Sequence, residues 1–359
     1  MEKKYFAPSE LIINEDGSIF HLHLKPENLA DKVILVGDPG RVALVASHFE
    51  DIECEVESRE FRTITGTYHR KRVTVVSTGI GCDNIDIVLN ELDALANIDF
   101  ETRTEKDQLR QLTLVRIGTC GGLQPYTPTG TYIASVKSIG FDGLLNFYAG
   151  RDKASDLDFE AEFKRQVKWD AQLGNPYVAC ADEQLTEQIA QDDMVRGVTI
   201  ACGGFFGPQG RELRLPLQDP HLNEKIEQFS YNGLQITNFE MESSALAGLA
   251  TLMGQRAVTC CMVIANRLAK KANAGYKNTI DGLVKTVLTE YKRSVTSIII
   301  NKKNEKRDTY PTTGTTNHFN NTPDCGRNHL CTCYTTGWSN RHCAGKWSTG
   351  NRDYGQDLP

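Results

Sequence analysis

Short apolar runs, rich in β-branched residues and ending at glycine, recur through the first third of the chain, with helical patterns between them. The three runs are residues 33–36 (VILV), 73–76 (VTVV) and 112–116 (LTLVR). Apolar positions recur at helical spacing in residues 42–49 and again in residues 85–95. Strands that alternate with helices predict an α/β fold built on a central parallel sheet.

The rest of the first 300 residues continues this alternation. Further strands are predicted at residues 132–136, 176–179, 198–201, 234–239 and 257–264, and helices at residues 243–253 and 279–294. The charged stretch 101–110 is predicted to be a solvated loop or short helix between a helix and a strand. We therefore expect one domain over residues 1–301.

Glycine-bearing turns follow the three early strands and predict an anion site. They span residues 37–40, 79–81 and 118–122, and none is a dinucleotide fingerprint or a P-loop. Arg41 and Arg116 flank two of them, and Arg59 precedes the second strand. Each turn alone could be an ordinary strand-to-helix connection. Together they favour phosphate, because arginine binds its oxygens through two N–H groups and ligands bind at strand carboxyl ends.

Two further segments carry polar groups suited to a nucleoside. Glu240 and Glu242 stand where a strand becomes a helix, with one side chain expected in the crevice and the other in supporting contacts. Acidic residues at a helix start are also favoured by the helix dipole alone. The loop 205–211 (FFGPQGR) combines an aromatic ring, an amide and a guanidinium, which suits the edge of uracil; a turn with incidental polar residues is the alternative.

Composition excludes several classes of protein. Residues 1–301 hold 32 Lys and Arg against 41 Asp and Glu, a formal charge of −9, which argues against binding a nucleic-acid polymer. The longest apolar run, residues 257–265, is too short to cross a membrane, and no secretory signal is expected at the start. The cysteines in this part lack metal-ligand spacing, so we expect no metal and a cytoplasmic protein with reduced thiols.

The last 58 residues differ in composition from the rest. Residues 302–359 carry 8 Lys and Arg against 5 Asp and Glu, a charge of +3, and contain no Val or Ile. They cannot build a core, so we expect this segment to be disordered or an aberrant C-terminus, such as out-of-frame coding sequence. Four of its residues are cysteines, but their spacing fits no standard zinc finger.

The segments described above occur together in the order found in one known family. The words GDPGR (37–41), SREF (58–61), STGIG (77–81), RIGT (116–119), F-x-x-x-Q-x-R (205–211) and NFEMES (238–243) resemble the nucleoside phosphorylase-I family, most closely its uridine-cleaving members. The resemblance covers residues 19–294. It implies a three-layer sandwich whose central sheet is mixed, mostly parallel and twisted, and is flanked by helices. It also implies reversible cleavage of uridine by phosphate to uracil and ribose 1-phosphate.

The resemblance also implies a role for individual residues. Gly37, Arg41, Arg59, Arg116 and Thr119 would bind phosphate, and His21, Met241 and Glu242 would bind the ribose. Phe205, Gln209, Arg211 and Arg267 would form the base pocket. We expect Arg116, Glu242 and Arg211 to be catalytic. No cofactor is implied, since phosphate is a co-substrate.

In that family His21 and Arg59 would be contributed by a neighbouring subunit. The resemblance therefore implies a homo-oligomer, at least a dimer, and is compatible with a hexamer. No membrane or macromolecular ligand is expected.

Residues at the end of the last predicted core strand indicate which base the nucleoside would carry. Residues 263–267 read VIANR, without the aspartate that purine-specific relatives carry there, which favours a pyrimidine. Three alternatives stay open: a purine nucleoside phosphorylase, a nucleosidase on the same fold, and a non-catalytic nucleoside-binding module.

Overall fold

The computed structural model of the chain describes residues 3–266, 271–272, 275 and 279–291. The predicted tail and the predicted base-pocket residue Arg267 lie outside the described residues. So do residues 292–294 at the end of the last predicted helix. No described helix is long and apolar enough to cross a membrane.

The described chain alternates strands and helices. The strands are β1 (Lys32–Val36), β2 (Asp51–Ser58), β3 (Phe61–Tyr68), β4 (Lys71–Ser77), β5 (Ile98–Asp99), β6 (Thr104–Glu105), β7 (Thr113–Gly122), β8 (Tyr132–Gly140), β9 (Tyr177–Cys180), β10 (Val195–Ala201), β11 (Ser230–Tyr231), β12 (Leu234–Glu240), β13 (Arg256–Asn266) and β14 (Lys271–Ala272). The helices are α1 (Pro39–Ala46), α2 (Cys82–Asn97), α3 (Leu157–Val167), α4 (Glu183–Ile189), α5 (Leu222–Gln228), α6 (Ser243–Leu252) and α7 (Ile280–Tyr291). Short 3₁₀ helices lie at Pro26–Asn28, Leu144–Phe147, Arg151–Lys153 and Gly207–Gln209.

The central sheet is mixed, as predicted, and part of it closes on itself. In strand order it runs β11-β12-β10-β8-β13-β7-β1-β4-β3-β2. β1 pairs in parallel with β4 and β7, β7 with β13, and β10 with β8 and β12. β12 also pairs antiparallel with β7, and β13 with β8. The five strands β7, β12, β10, β8 and β13 therefore form a closed ring.

Helices cover both faces of the sheet, as expected for a three-layer sandwich. Alternate residues of β1 belong to different cores: Val33 and Leu35 pack with α2 and α6, whereas Ile34 and Val36 pack with α1 and α7. This two-sided burial explains why the strand is a continuous apolar run rather than an alternating one. The prediction of an α/β fold with a helix-flanked mixed sheet is confirmed.

One local prediction was wrong, and another holds in the first of its two forms. Residues 118–122 form no turn, because β7 continues through them to Gly122 and pairs with β13 and β12. The stretch 101–110 is a largely exposed loop, one of its two predicted forms, and within it Thr104–Glu105 pairs antiparallel with Ile98–Asp99 as a small hairpin. Arg103 fixes this hairpin through hydrogen bonds to the carbonyl oxygens of Phe6 and Leu11.

Candidate functional site

A cavity of about 1000 Å³ lies where the carboxyl ends of the central strands meet. Nine of the predicted site residues line it: Gly37, Arg41, Arg116, Thr119, Phe205, Gln209, Arg211, Met241 and Glu242. They come from segments up to about 200 positions apart in the chain. The parallel strands β1, β4, β7 and β13 and the end of β12 bring them together, as expected for ligand sites in α/β sheets.

Arg116 on β7 forms the charged centre of the cavity. Its Nη1 lies 3.3 Å from Glu240 Oε2, and its Nη2 donates a hydrogen bond to Glu242 Oε2. All three side chains are about 95% or more buried. Burial opposes the charge of Arg116, but Glu242 and Glu240 outweigh it and hold its pKa above the ordinary value. Both carboxylates thus converge on one arginine, instead of lying on opposite sides of the strand end.

Glycine at position 118 is required by the approach of this arginine. A Cβ there would overlap Arg116 Nη1 and would lie 2.9 Å from Cys261 Sγ on β13. The glycine-rich stretch therefore makes room for a buried guanidinium beside the strand, which is a different function from the turn that the sequence predicts.

Glu240 supports the start of α6. Its carboxylate accepts the backbone N–H of Glu242 at 2.9 Å and of Ser243 at 3.0 Å, and the Ser243 hydroxyl at 2.6 Å. These contacts bind N–H groups that have no partner within the helix. Burial and the neighbouring Glu242 raise the pKa of Glu240 to about 7, although Arg116 opposes the shift. Glu240 therefore fixes the backbone that carries Glu242.

Glu242 bridges two elements. Its Oε1 accepts the backbone N–H of Gly81 at 2.8 Å, at the start of α2, and its Oε2 accepts from Arg116. A carboxylate at a helix N-terminus is favoured by the helix dipole. Gly81 has φ +101°, a conformation that side chains rarely adopt, so the close approach of Glu242 depends on glycine at this turn.

A second side of the cavity, next to Arg116, is suited to an anion. Gly37 follows β1, and helix α1 begins two residues later with Arg41 in its first turn. Arg41 is buried, and its Nη1 donates to the carbonyl oxygen of Ile117 at 3.0 Å. This contact sets the guanidinium against β7, near Thr119 on the same strand.

The third side of the cavity is formed by the loop after β10. The guanidinium carbon of Arg211 lies 3.6 Å from the ring centre of Phe205, and its Nη1 donates to Gln209 Oε1 at 2.5 Å. Gln209 is buried, whereas half of Phe205 is exposed. An aromatic face, an amide and a cation therefore meet at one end of the cavity.

Two predicted site residues do not line this cavity. His21 contacts Glu91 on α2, and the guanidinium of Arg59 lies 5.7 Å from the ring centre of Phe20. His21 and Arg59 thus share one face of the molecule, next to each other. The prediction that they serve a neighbouring subunit needs a second chain and stays a prediction.

Twelve further residues line the cavity, and five of them carry a carboxylate, an amide or an exposed apolar side chain. These five are Asp38, Glu60, Ile80, Asn84 and Glu240. The sequence predicts either a crevice or a supporting position for Glu240, without a ligand of its own, and Asp38 lies in the GDPGR motif between the predicted residues Gly37 and Arg41. Glu60 lies in the β2–β3 turn, inside the SREF motif, and Asn84 lies in the first turn of α2, just beyond the STGIG motif. The sequence assigns no role to either residue.

Comparison with known proteins identifies the fold family. Residues 31–299 match the phosphorylase superfamily. The chain belongs to that family. It is 35% identical to a uridine phosphorylase of Treponema pallidum, covering 69% of this chain and 82% of the relative. It is 33% identical to a DeoD-type purine nucleoside phosphorylase of Geobacillus kaustophilus, covering 68% and 84%. A solved structure of a Trypanosoma brucei nucleoside phosphorylase with uridine phosphorylase activity matches with a TM-score of 0.72 and 29% identity, covering 78% of this chain and 98% of that one. The chain is an enzyme of the pentosyltransferase type.

Proposed function

We propose that this enzyme cleaves a pyrimidine nucleoside with phosphate, converting uridine and phosphate to uracil and ribose 1-phosphate. The observation that carries the proposal is the Arg116–Glu242 pair, which joins the anion side of the cavity to the polar start of α6. A ribose whose hydroxyls bind Glu242 would place C1′ between the anion side and the loop 205–211. The chain's similarity to uridine phosphorylases supports this reading.

The phosphate would bind to Gly37, Arg41, Arg116 and Thr119, with Arg59 supplied by a neighbouring subunit. A phosphate oxygen forms the new bond to C1′ as the bond from C1′ to N1 of uracil breaks, and the electron pair of that bond passes to the base. Holding both reactants in one cavity removes much of the entropic barrier to their encounter. No covalent intermediate with the protein is needed.

Charge that develops on the base would be stabilised by the loop 205–211. Arg211 is a permanent cation, and Gln209 provides both a donor and an acceptor. The ring of Phe205 fixes the plane of the guanidinium. Donors placed where negative charge appears in the transition state lower the barrier. Met241 would pack against the ribose, and Arg267 is proposed to complete the base pocket from beyond the described residues.

A purine nucleoside is the second candidate, because the relative from Geobacillus kaustophilus is a DeoD-type purine nucleoside phosphorylase. A panel of uridine, thymidine, deoxyuridine and inosine, each with and without phosphate, separates the possibilities by ultraviolet absorbance. We expect uridine cleavage that requires phosphate. Faster cleavage of inosine would favour the purine reading, equal rates without phosphate would favour a nucleosidase, and binding without turnover would favour a non-catalytic module.

We also propose that the working enzyme is a homo-oligomer of at least two chains. His21 and Arg59 lie together outside the cavity of their own chain, and Ile80 at the cavity margin is 68% exposed although it is apolar. A second copy that places its own His21 and Arg59 at the cavity margin would cover Ile80 and bring two more polar groups to the site. Inorganic phosphate and the nucleoside are then the only ligands proposed.

A further inference from the structure

The carboxylate of Glu91, in the second half of α2, holds His21 by three kinds of contact. Its Oε1 lies 2.6 Å from His21 Nδ1 and accepts the backbone N–H of His21 at 3.0 Å. Its Oε2 accepts the backbone N–H of Leu22 at 2.9 Å. The Glu91 side chain is 12% exposed and that of His21 is 26% exposed. One side chain thus fixes both the backbone and the ring of residue 21.

This arrangement determines which ring nitrogen of His21 carries the proton. An ionised carboxylate only accepts hydrogen bonds, so the nitrogen facing it, Nδ1, must be the donor. In the neutral imidazole Nε2 is then the acceptor. The rings of Phe20 and Phe61, with centres 4.7 Å and 6.4 Å from that of His21, pack edge to face against it and limit its rotation. His21 therefore presents a hydrogen-bond acceptor in a fixed direction.

The position of Glu91 keeps His21 away from the cavity of its own chain. Glu242 contacts the start of α2 at Gly81, and Glu91 lies ten residues further along that helix. Ten residues of α-helix span about 15 Å, more than a histidine side chain reaches. Arg59, next to Phe20, belongs to the same face. The acceptor of His21 is thus available to a second copy of the chain rather than to its own cavity.

We propose that Glu91 is a positioning residue that selects the Nδ1-protonated form of His21, so that Nε2 accepts the hydrogen bond of the nucleoside 5′-hydroxyl in the neighbouring chain's cavity. This inference rests on the proposed function. It assigns to Glu91 a role in choosing substrates that bear a 5′-hydroxyl, although Glu91 touches no substrate itself.

The test compares uridine with 5′-deoxyuridine in the full chain. In Glu91→Gln the amide can still accept the backbone N–H groups, but its NH₂ group faces Nδ1 and favours the other protonated form of the ring. We expect kcat/KM for uridine to fall about tenfold, the effect of one lost hydrogen bond, whereas 5′-deoxyuridine changes less than about twofold. His21→Ala should give the same pattern, and the double variant should lose no more than His21→Ala alone.

Asp93→Asn is the matched control. Asp93 lies on the same helix and accepts a hydrogen bond from Gln255 at 2.6 Å, without contact to His21. The Asp93→Asn variant should leave the ratio of kcat/KM for uridine to kcat/KM for 5′-deoxyuridine unchanged. Equal losses on both substrates in Glu91→Gln would show a merely structural role and overturn this inference alone. If the unmodified chain shows no phosphate-dependent cleavage of any nucleoside, the proposed function and this inference both fail.

Discussion

At the scale of single residues, the site depends on one buried cation between two buried carboxylates. Arg116 contacts Glu240 and Glu242, and the two acids differ in their other partners: Glu240 binds the start of α6, while Glu242 binds the start of α2. The sequence alone does not distinguish the two residues, because both are glutamates in the same motif. The contacts of Glu240 to the start of α6 give it a supporting role, and Glu242 is the carboxylate that we propose to bind the ribose.

Changing Glu242 to glutamine should therefore impair ribose binding. The amide still accepts the N–H of Gly81 but no longer balances the charge of Arg116, and it loses the charge-assisted contact to a hydroxyl. We expect kcat/KM for uridine to fall by about tenfold to a hundredfold, since such a hydrogen bond contributes about 1.5–3 kcal/mol. Initial rates at several uridine concentrations measure it. The exposed Glu57→Gln on β2 is the control, and equal rates in the two variants would contradict the assignment.

Glu240 should make stability depend on pH. Its pKa in the folded chain is raised to about 7 by burial first and Glu242 second, above the ordinary value of 4.5. The folded state therefore keeps a proton that the unfolded state releases, so this contribution to stability is full below pH 4.5 and is lost as pH rises through 7. Relative to Glu240→Gln, the unmodified chain should lose stability between pH 5 and pH 8. Thermal melts at both pH values measure this, and a constant difference between the chains would contradict it.

At the scale of elements, strands buried on both faces could be predicted from the sequence, whereas exposed strands and short helices could not. The strands β1, β4 and β13 are buried apolar runs whose predicted bounds lie within two residues of the observed ones, whereas β7 continues six residues beyond its predicted end. The β2–β3 hairpin was missed, because β2 alternates exposed and half-buried residues and contains charges. Helices α4 and α5 have only seven residues each, too few for a helical period to stand out. The family motifs located most of the site, but they did not show which of their residues face the cavity: Asp38 and Glu60 lie inside motifs and line it without a predicted role.

Removing the N-cap residue of α1 or of α4 tests effects on stability and on phosphate binding separately. Asp38 accepts the N–H of Gly40 at the start of α1, and Asp182 accepts the N–H of Leu185 at 2.7 Å at the start of α4. Replacing either by alanine should lower the free energy of unfolding by about 1 kcal/mol. Only Asp38→Ala should raise KM for phosphate, because α1 carries Arg41 into the cavity. Denaturant unfolding and phosphate titrations measure the two effects. A similar rise in Asp182→Ala would show that loss of stability alone explains it.

At the scale of the whole molecule, the charge distribution and the placement of His21 and Arg59 point to the same organisation. Residues 1–301 carry a net charge of −9, so phosphate must be attracted locally by arginines rather than by the surface as a whole. One chain provides Arg41 and Arg116 to its cavity. Arg211 of the same chain lines the cavity at the loop 205–211. Under the proposed assembly, Arg59 of a second chain would be the third arginine at the phosphate, and assembly would then be part of the binding site.

Mixed oligomers test this directly. Arg59→Ala and Glu242→Ala should each have less than about a tenth of the unmodified activity. A mixed dimer of the two contains one site with Glu242 from one chain and Arg59 from the other, so differently tagged chains, co-expressed and purified through both tags, should recover about half of the unmodified activity. The matched control pairs Arg116→Ala with Glu242→Ala. Both residues belong to the cavity of one chain, so no mixed site is complete and no activity should return. No recovery in the Arg59 pair would show that each chain builds its site alone. Recovery in the control pair would show that Arg116 or Glu242 also acts across the interface, and either result would contradict the proposed assembly.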